Sequence, residues 1–317
     1  MPPALLYITC AESGLYGLRH LLRRGREIAA VVTIPPAVAA AHEVSGYADI
    51  GPLAEELGIG CISLKSYAIS REDIAATPFD ILVVNGWNRI IPAEIIALAR
   101  LGAIGLHAGH PPIGLGRAPL VWNILMGRTD IEVYAFRMAS SVDDGDILAR
   151  RPVEITPQDD VSLLYEKVFF AGARLIDEAV EKVVKGERGQ PQDMASAVRY
   201  GKRTAADGLI DFSQSEAQIH NFVRAQSSPY PGAFSTLEGV RWVIDRAFPF
   251  DRFAFRDLPR EPGKIVAALP KGIVVLTGGS PIWVLAARAS DGRLIPAPLG
   301  QTEALVGQRF DPWSARP

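Results

Sequence analysis

The sequence predicts an α/β protein: a mostly parallel, Rossmann-like sheet followed by a smaller β-rich, OB-like barrel domain. Three observations carry this. Over residues 1–187, short apolar runs alternate with helical patterns, as in successive βαβ units. Those runs are continuously apolar rather than alternating, as strands covered on both faces require. Beyond the polar, Gly- and Pro-containing stretch at 188–203, short strands punctuated by Gly, Pro and Asp dominate 204–317. The expected organisation is therefore a Rossmann-like domain at 1–187, a linker at 188–203 and an OB-like C-terminal domain at 204–317.

In chain order, ALLYITC (4–10) reads as a buried strand, followed by Ser13-Gly14-Leu15-Tyr16-Gly17 and a helix through Leu21 and Leu22. EIAAVVTI (27–34) is a second strand, and GPLAEELGIG carries a helix. CISL (61–64) and FDILVVNGW (79–87) are strands, and Pro92 opens a helix where its missing N–H costs nothing. AIGLHAG (103–109) is a strand, Ala118–Met126 a helix, and IEVYAFRM (131–138) and DILARRPVEI (146–155) are strands. Apolar residues at helical spacing make 161–185 a long helix. The tail offers a helix near Glu216–Ala225 and strands at VRWVIDRAF, GKIVAAL, GIVVLTG and PIWVLAARAS.

Composition bounds the function. With 317 residues, 48% hydrophobic and 21% charged, the chain can bury a large core. A net charge of −2 supplies no global basic field to recruit nucleic acid. Cys10 and Cys61 lie in apolar runs without metal spacing, so both are expected as buried reduced thiols. The start MPPALLYITCAESG lacks a signal-peptide pattern, and no run of about 18 apolar residues is present, so a cytoplasmic location is expected.

The chemistry-bearing segment is Gly105-Leu106-His107-Ala108-Gly109-His110, with Ser141-Val142-Asp143-Asp144-Gly145-Asp146 after it. His107 ends a strand, and ligands of open α/β sheets bind at that edge. Asp143 lies 36 residues further on, and a histidine near a carboxylate is suited to general-base work near neutral pH. Asn85-Gly86-Trp87-Asn88-Arg89 ends another strand at the same edge, with the polar groups a cleft needs. The first loop lacks GxGxxG spacing, which argues against a nicotinamide cofactor. His107 and His110 stand three apart in a loop, and no metal is expected. His20 and His42 read as surface residues without partners, and His220 as structural.

These segments resemble the folate-dependent formyltransferases. The resemblance rests on His107-Ala108 with Pro112 and Gly116-Arg117-Ala118-Pro119-Leu120, and on the turn Asp143-Asp144-Gly145-Asp146. It continues through Tyr200-Gly201-Lys202-Arg203-Thr204, Ile210-Asp211-Phe212, His220–Ala225 and Pro229–Phe234. It implies transfer of a formyl group from N10-formyltetrahydrofolate to an amine, with His107 and Asp143 as the catalytic pair. The same resemblance implies a folate site along Asn85, Gly86, Trp87, Arg89, Ile90, Ala108, His110, Leu115, Val142 and Asp144. Tyr16, Arg117, Ala118 and Pro119 are implied on the acceptor side. One departure stands out: the family carries Asn two residues before the histidine, where this chain has Gly105. Loss of an oxyanion donor costs a hundredfold or more in rate, roughly. Asn85, Asn88, His110 or a water are the expected substitutes.

The acceptor is expected to be a small amine on a nucleotide-linked sugar. No Lys or Arg occurs from Glu27 to Leu64, where the tRNA-acting branch carries a basic insertion. Gly116–Trp122 also resembles the enzyme that formylates a 4-amino-4-deoxy sugar on UDP. Formylation of an amino acid such as ornithine, methionyl-tRNA formylation, and a folate-binding pseudoenzyme remain alternatives. By resemblance, a homodimer through the C-terminal half is a possible assembly.

Overall fold

The computed structural model describes residues 2–111, 113–139 and 145–311. The chain forms two compact units. The first comprises Met1–Pro119, Asp130–Glu154 and Tyr165–Tyr200; the second comprises Leu120–Thr129, Ile155–Leu164 and Gly201–Pro317.

The first unit opens with strand β1 (Ala4–Ile8), helix α1 (Glu12–Arg23) and strand β2 (Glu27–Thr33). Two short helices follow, α2 (Pro36–Ala41) and α3 (Gly51–Glu56), and then β3 (Cys61–Ser63). After α4 (Arg71–Ile74) come β4 (Ile81–Val84), α5 (Ala93–Ile96), β5 (Gly102–Gly109) and β6 (Ile113–Gly116). Strands β7 (Asp130–Arg137) and β8 (Ile147–Glu154) and, from Tyr165 onward, the long helix α7 (Val161–Val184) complete its main elements, whereas helix α6 (Pro119–Leu125) belongs to the second unit apart from Pro119. The 7-stranded sheet has the order β3-β2-β1-β4-β5-β7-β8. Pairing is parallel from β3 through β5 and antiparallel for β5–β7 and β7–β8. The central strands are apolar throughout because helices cover both faces: Leu5, Leu6, Ile8, Leu82 and Val83 are fully buried.

Three sequence expectations are corrected. Cys61 is exposed, not buried, because β3 is the edge strand of the sheet. The segment after His107 is not all turn: β6 pairs in parallel with β9 (Val198–Tyr200). The stretch read as a linker therefore holds a strand, together with a 3-10 turn at Met194–Ser196.

In the second unit, helix α8 (Glu216–Ala225) starts at Ser215, whose hydroxyl accepts the Gln218 N–H while the Gln218 side chain reaches back to the Ser215 N–H. Strands β10 (Ala233–Leu237), β11 (Val240–Pro249), β12 (Ile265–Leu269), β13 (Gly272–Val275) and β14 (Ile282–Ala289) pair antiparallel in the order β10-β11-β14-β13-β12. Strand β15 (Leu294–Ile295) pairs with β14, and the short helix α9 spans Leu299–Glu303. Alternate residues of β11, Trp242 and Ile244, enter its core with Ile282, Val284 and the stacked pair Phe212–Phe310. His220, structural as expected, is buried, with Nδ1 2.7 Å from the Ala247 carbonyl and Nε2 2.9 Å from that of Pro157.

Candidate active site

Strand order reverses between β1 and β4, because β2 and β3 lie on one side and β5 on the other. Open α/β sheets place their ligand crevice at the carboxyl ends of the strands flanking such a reversal. Here those ends are joined directly: the Cys10 N–H donates to the Gly86 carbonyl over 3.2 Å. Helix α1 is drawn close, since a Cβ on Gly14 would lie 1.7 Å from Thr9 Oγ1. Only glycine fits there. Tyr7 donates to the Gly14 carbonyl, and Asn85 Nδ2 donates to Tyr7 Oη (3.1 Å) and to the Ser13 carbonyl (2.9 Å). Burial holds the Tyr7 phenol well above its ordinary range.

Asn85 is therefore placed differently from its sequence expectation. It is 4% exposed and both amide hydrogens are donated inside the first unit, so its amide is not a spare oxyanion donor. His110 is engaged as well, with Nε2 2.9 Å from the Asp130 carbonyl. Among the three candidate substitutes, Asn88 alone is exposed with no described side-chain partner.

Beyond Gly86 the chain splits between core and surface. Trp87 is buried against Tyr67, edge to face at 4.9 Å, whereas Asn88, Arg89 and Ile90 are exposed, Ile90 by 74%. Tyr67 is itself fixed: its hydroxyl accepts the Asn88 N–H at 3.0 Å and the Cys10 thiol at 3.6 Å. Arg89 lies over the Tyr67 ring at 5.3 Å and reaches His42 Nδ1 at 3.3 Å. His42 is exposed as expected, but it has partners. No local pattern signals this contact, since 47 residues separate His42 from Arg89.

His107 stands near the carboxyl end of β5, half-buried, directly across from Tyr134 of β7 with ring centroids 5.7 Å apart. Ala108 is buried opposite Val133. Gly105 faces Phe136, and the Phe136 ring fills the space an Asn side chain would need. Strand β7 runs antiparallel to β5, and the Met138 N–H just past its end donates to the Ala103 carbonyl. Gly145 packs so tightly that a Cβ would lie 1.5 Å from the Arg137 carbonyl oxygen. Val142, Asp143 and Asp144 lie outside the described residues, as does the side chain of Leu115.

Arg117 is exposed at the turn into α6, and Ala118 holds φ +51°, a left-handed value that a non-glycine residue adopts at a cost. Pro119 is the first residue of α6. Tyr16, 39% exposed on α1, donates its hydroxyl to Glu166 and packs against Phe169 of α7. Two cavities, of about 420 Å³ beside Leu148 and Lys182 and about 520 Å³ beside Arg256 and Thr277, contain none of the residues expected at the site. Among the described residues, no three His, Cys, Asp or Glu side chains converge as a metal site would require, and no helix is long and apolar enough to cross a membrane.

The chain combines a Rossmann-like sheet, His107 near the carboxyl end of β5 and a separate antiparallel β unit. The chain belongs to the formyl transferase family: residues 21–180 match the family's formyl transferase domain and residues 202–299 its C-terminal domain. The methionyl-tRNA formyltransferase of Desulfotalea psychrophila is 30% identical over 277 residues, covering 86% of this chain and 84% of that protein. Solved structures share the fold. The N-formyltransferase from Helicobacter canadensis, in complex with folinic acid and dTDP-3-aminofucose, has a TM-score of 0.66 at 15% identity, covering 90% of this chain and 99% of that one. HypX from Aquifex aeolicus in complex with tetrahydrofolic acid has a TM-score of 0.65 at 19% identity over 100% of this chain. This chain spans 50% of the length of HypX.

Proposed function

We propose that the protein moves a formyl group from N10-formyltetrahydrofolate to the amine of a small molecule, a nucleotide-linked amino sugar. The observation that carries this reading is His107, half-buried at the carboxyl edge of β5 in a chain of the formyl transferase family. The cosubstrate supplies an activated formyl carbon. The exposed Ile90 offers an apolar wall for its pterin, beside the backbone of Gly86 and the buried Trp87. Ala108, His110, Leu115, Val142 and Asp144 complete the folate side in this reading. Tyr16, Arg117, Ala118 and Pro119 face the acceptor.

In the reaction, the acceptor nitrogen forms a bond to the formyl carbon as the carbon–N10 bond breaks. His107 takes the proton that the amine loses, and N10 receives one. Asp143 orients the imidazole and supports its charged form. With Gly105 offering no side-chain donor, Asn88 is the substitute left with a free amide among the described residues.

Methionyl-tRNA is the second acceptor reading, favoured by the Desulfotalea relative. The stretch Glu27–Leu64, without Lys or Arg, favours the small amine.

The test is calorimetric titration with folinic acid, followed by UDP, dTDP or GDP, then turnover of N10-formyltetrahydrofolate with a panel of amines. Folate binding with a selective nucleotide response and formylated sugar product is the expected result. Absence of folate binding overturns the reading. Folate binding with turnover only on charged tRNA replaces the acceptor, and folate binding with no turnover on any amine indicates a pseudoenzyme.

A further inference from the structure

We infer that Tyr134 is a positioning residue for His107: its buried ring braces the imidazole from the neighbouring strand. The inference rests on the formyl-transfer reading above and adds the group that holds its general base in place.

The two side chains share one face of the sheet. His107 of β5 and Tyr134 of β7 stand directly opposite each other in an antiparallel pair, as do Gly105 and Phe136. Opposed residues leave the sheet on the same side, and every second residue of each strand joins them. Gly105, His107, Tyr134 and Phe136 therefore lie on one face. Leu106 points the other way, toward α7, where a Cβ on Gly172 would lie 2.5 Å from Leu106 Cδ2.

On its own strand His107 stands between two glycines of that face, Gly105 and Gly109. Strand β5 thus gives the imidazole no flanking side chain. The flank is supplied across the strand pair. The His107 and Tyr134 ring centroids are 5.7 Å apart with the planes at 59°, within the range of attractive aromatic pairs. The space over Gly105 holds the Phe136 ring, whose centroid is 6.0 Å from that of Tyr134.

The Tyr134 ring is itself fixed. Strand β7 is paired on both sides, with β5 and with β8. The residue is fully buried, and it forms an apolar cluster with Phe136 and Ile147. An imidazole leaning on this cluster has fewer rotamers open to it than one projecting between glycines. Proton transfer requires a ring nitrogen within hydrogen-bond reach of the amine, and a displacement of about 1 Å costs about a hundredfold in rate. Tyr134 acts on the reaction through His107, by restricting where that nitrogen can be.

The experiment measures kcat and KM of the full chain for N10-formyltetrahydrofolate, with the amine that wild type turns over fastest. The variants are Tyr134→Leu, Tyr134→Phe, His107→Gln, and His107→Gln combined with Tyr134→Leu. Tyr134→Leu is expected to lower kcat about 10- to 100-fold with KM changed by less than about threefold. Tyr134→Phe keeps the ring and should restore kcat to within about threefold of wild type. In the His107→Gln background, Tyr134→Leu should change kcat by less than about twofold, because no imidazole is left to position. Melting curves identify a variant that fails to fold, and Tyr134→Met then carries the expectation of Tyr134→Leu. Modification of His107 by diethyl pyrocarbonate, read by peptide mapping, should run several-fold faster once the ring is removed. Unchanged kcat and unchanged modification in Tyr134→Leu overturn this inference alone. So does an equal loss of kcat with and without His107, which marks general packing, and so does an equal loss in Tyr134→Phe, which moves the effect to the hydroxyl. A wild type that transfers no formyl group to any amine overturns it together with the formyl-transfer reading.

Discussion

The Phe136 ring occupies the space above Gly105: a Cβ on Gly105 would lie 2.6 Å from Phe136 Cζ. The same ring comes within 3.5 Å of a Cβ built on Gly145, so it wedges between two glycines. The residue two positions before His107 and Gly145 are thus tied through one aromatic side chain, itself 5% exposed.

Gly105→Asn alone should destabilise by about 1–3 kcal/mol through overpacking. Phe136→Ala alone should cost about 3–5 kcal/mol by leaving a cavity. Together they should cost clearly less than the sum, with a coupling of about 1 kcal/mol or more. Urea unfolding of the four proteins measures it, and strict additivity would disprove the wedge.

Asn85→Ala should lower stability by about 1–3 kcal/mol, because Tyr7 and the Ser13 carbonyl lose a buried donor. In this reading kcat at a temperature well below Tm stays near wild type. A large selective loss of kcat would return Asn85 to the reaction centre.

His107→Gln should lower kcat about 10²- to 10⁴-fold, while Tm changes little because the ring is only half-buried. Steady-state formylation with the best amine, beside a melting curve, separates the two effects.

Burial raises the Tyr7 phenol pKa above its unfolded value. The unfolded chain therefore loses this proton first as pH rises. The contribution to stability is complete below about pH 10 and declines above it. Urea unfolding at pH 8 and pH 11 should show a smaller alkaline loss for Tyr7→Phe than for wild type. Equal losses would mean that Tyr7 does not titrate differently on folding.

Cys61 should be alkylated by iodoacetamide well before Cys10, since only Cys61 is exposed. Both thiols are raised by desolvation, so labelling of Cys61 should accelerate as pH rises toward 9 and beyond. Peptide mapping after short exposures reads the order.

The α/β order was legible in the sequence because continuous apolar runs and helical periodicity are local signals. ALLYI, EIAAVVT and ILVV became β1, β2 and β4, and the long apolar-faced segment became α7. The placement of His107 near a strand's carboxyl end was legible for the same reason. Tertiary structure alone decided what those residues meet. The Asn85 amide reads as polar and available in sequence, yet packing against Tyr7 and α1 turns it inward. His42 reads as a solitary surface residue until the fold brings Arg89 to its ring. Gly105 reads as a lost side chain, whereas the antiparallel register of β7 supplies Phe136 to fill its place. Local pattern fixes which segments fold as strands and helices; only contacts between distant segments determine whether a polar group is satisfied, buried or left facing a ligand.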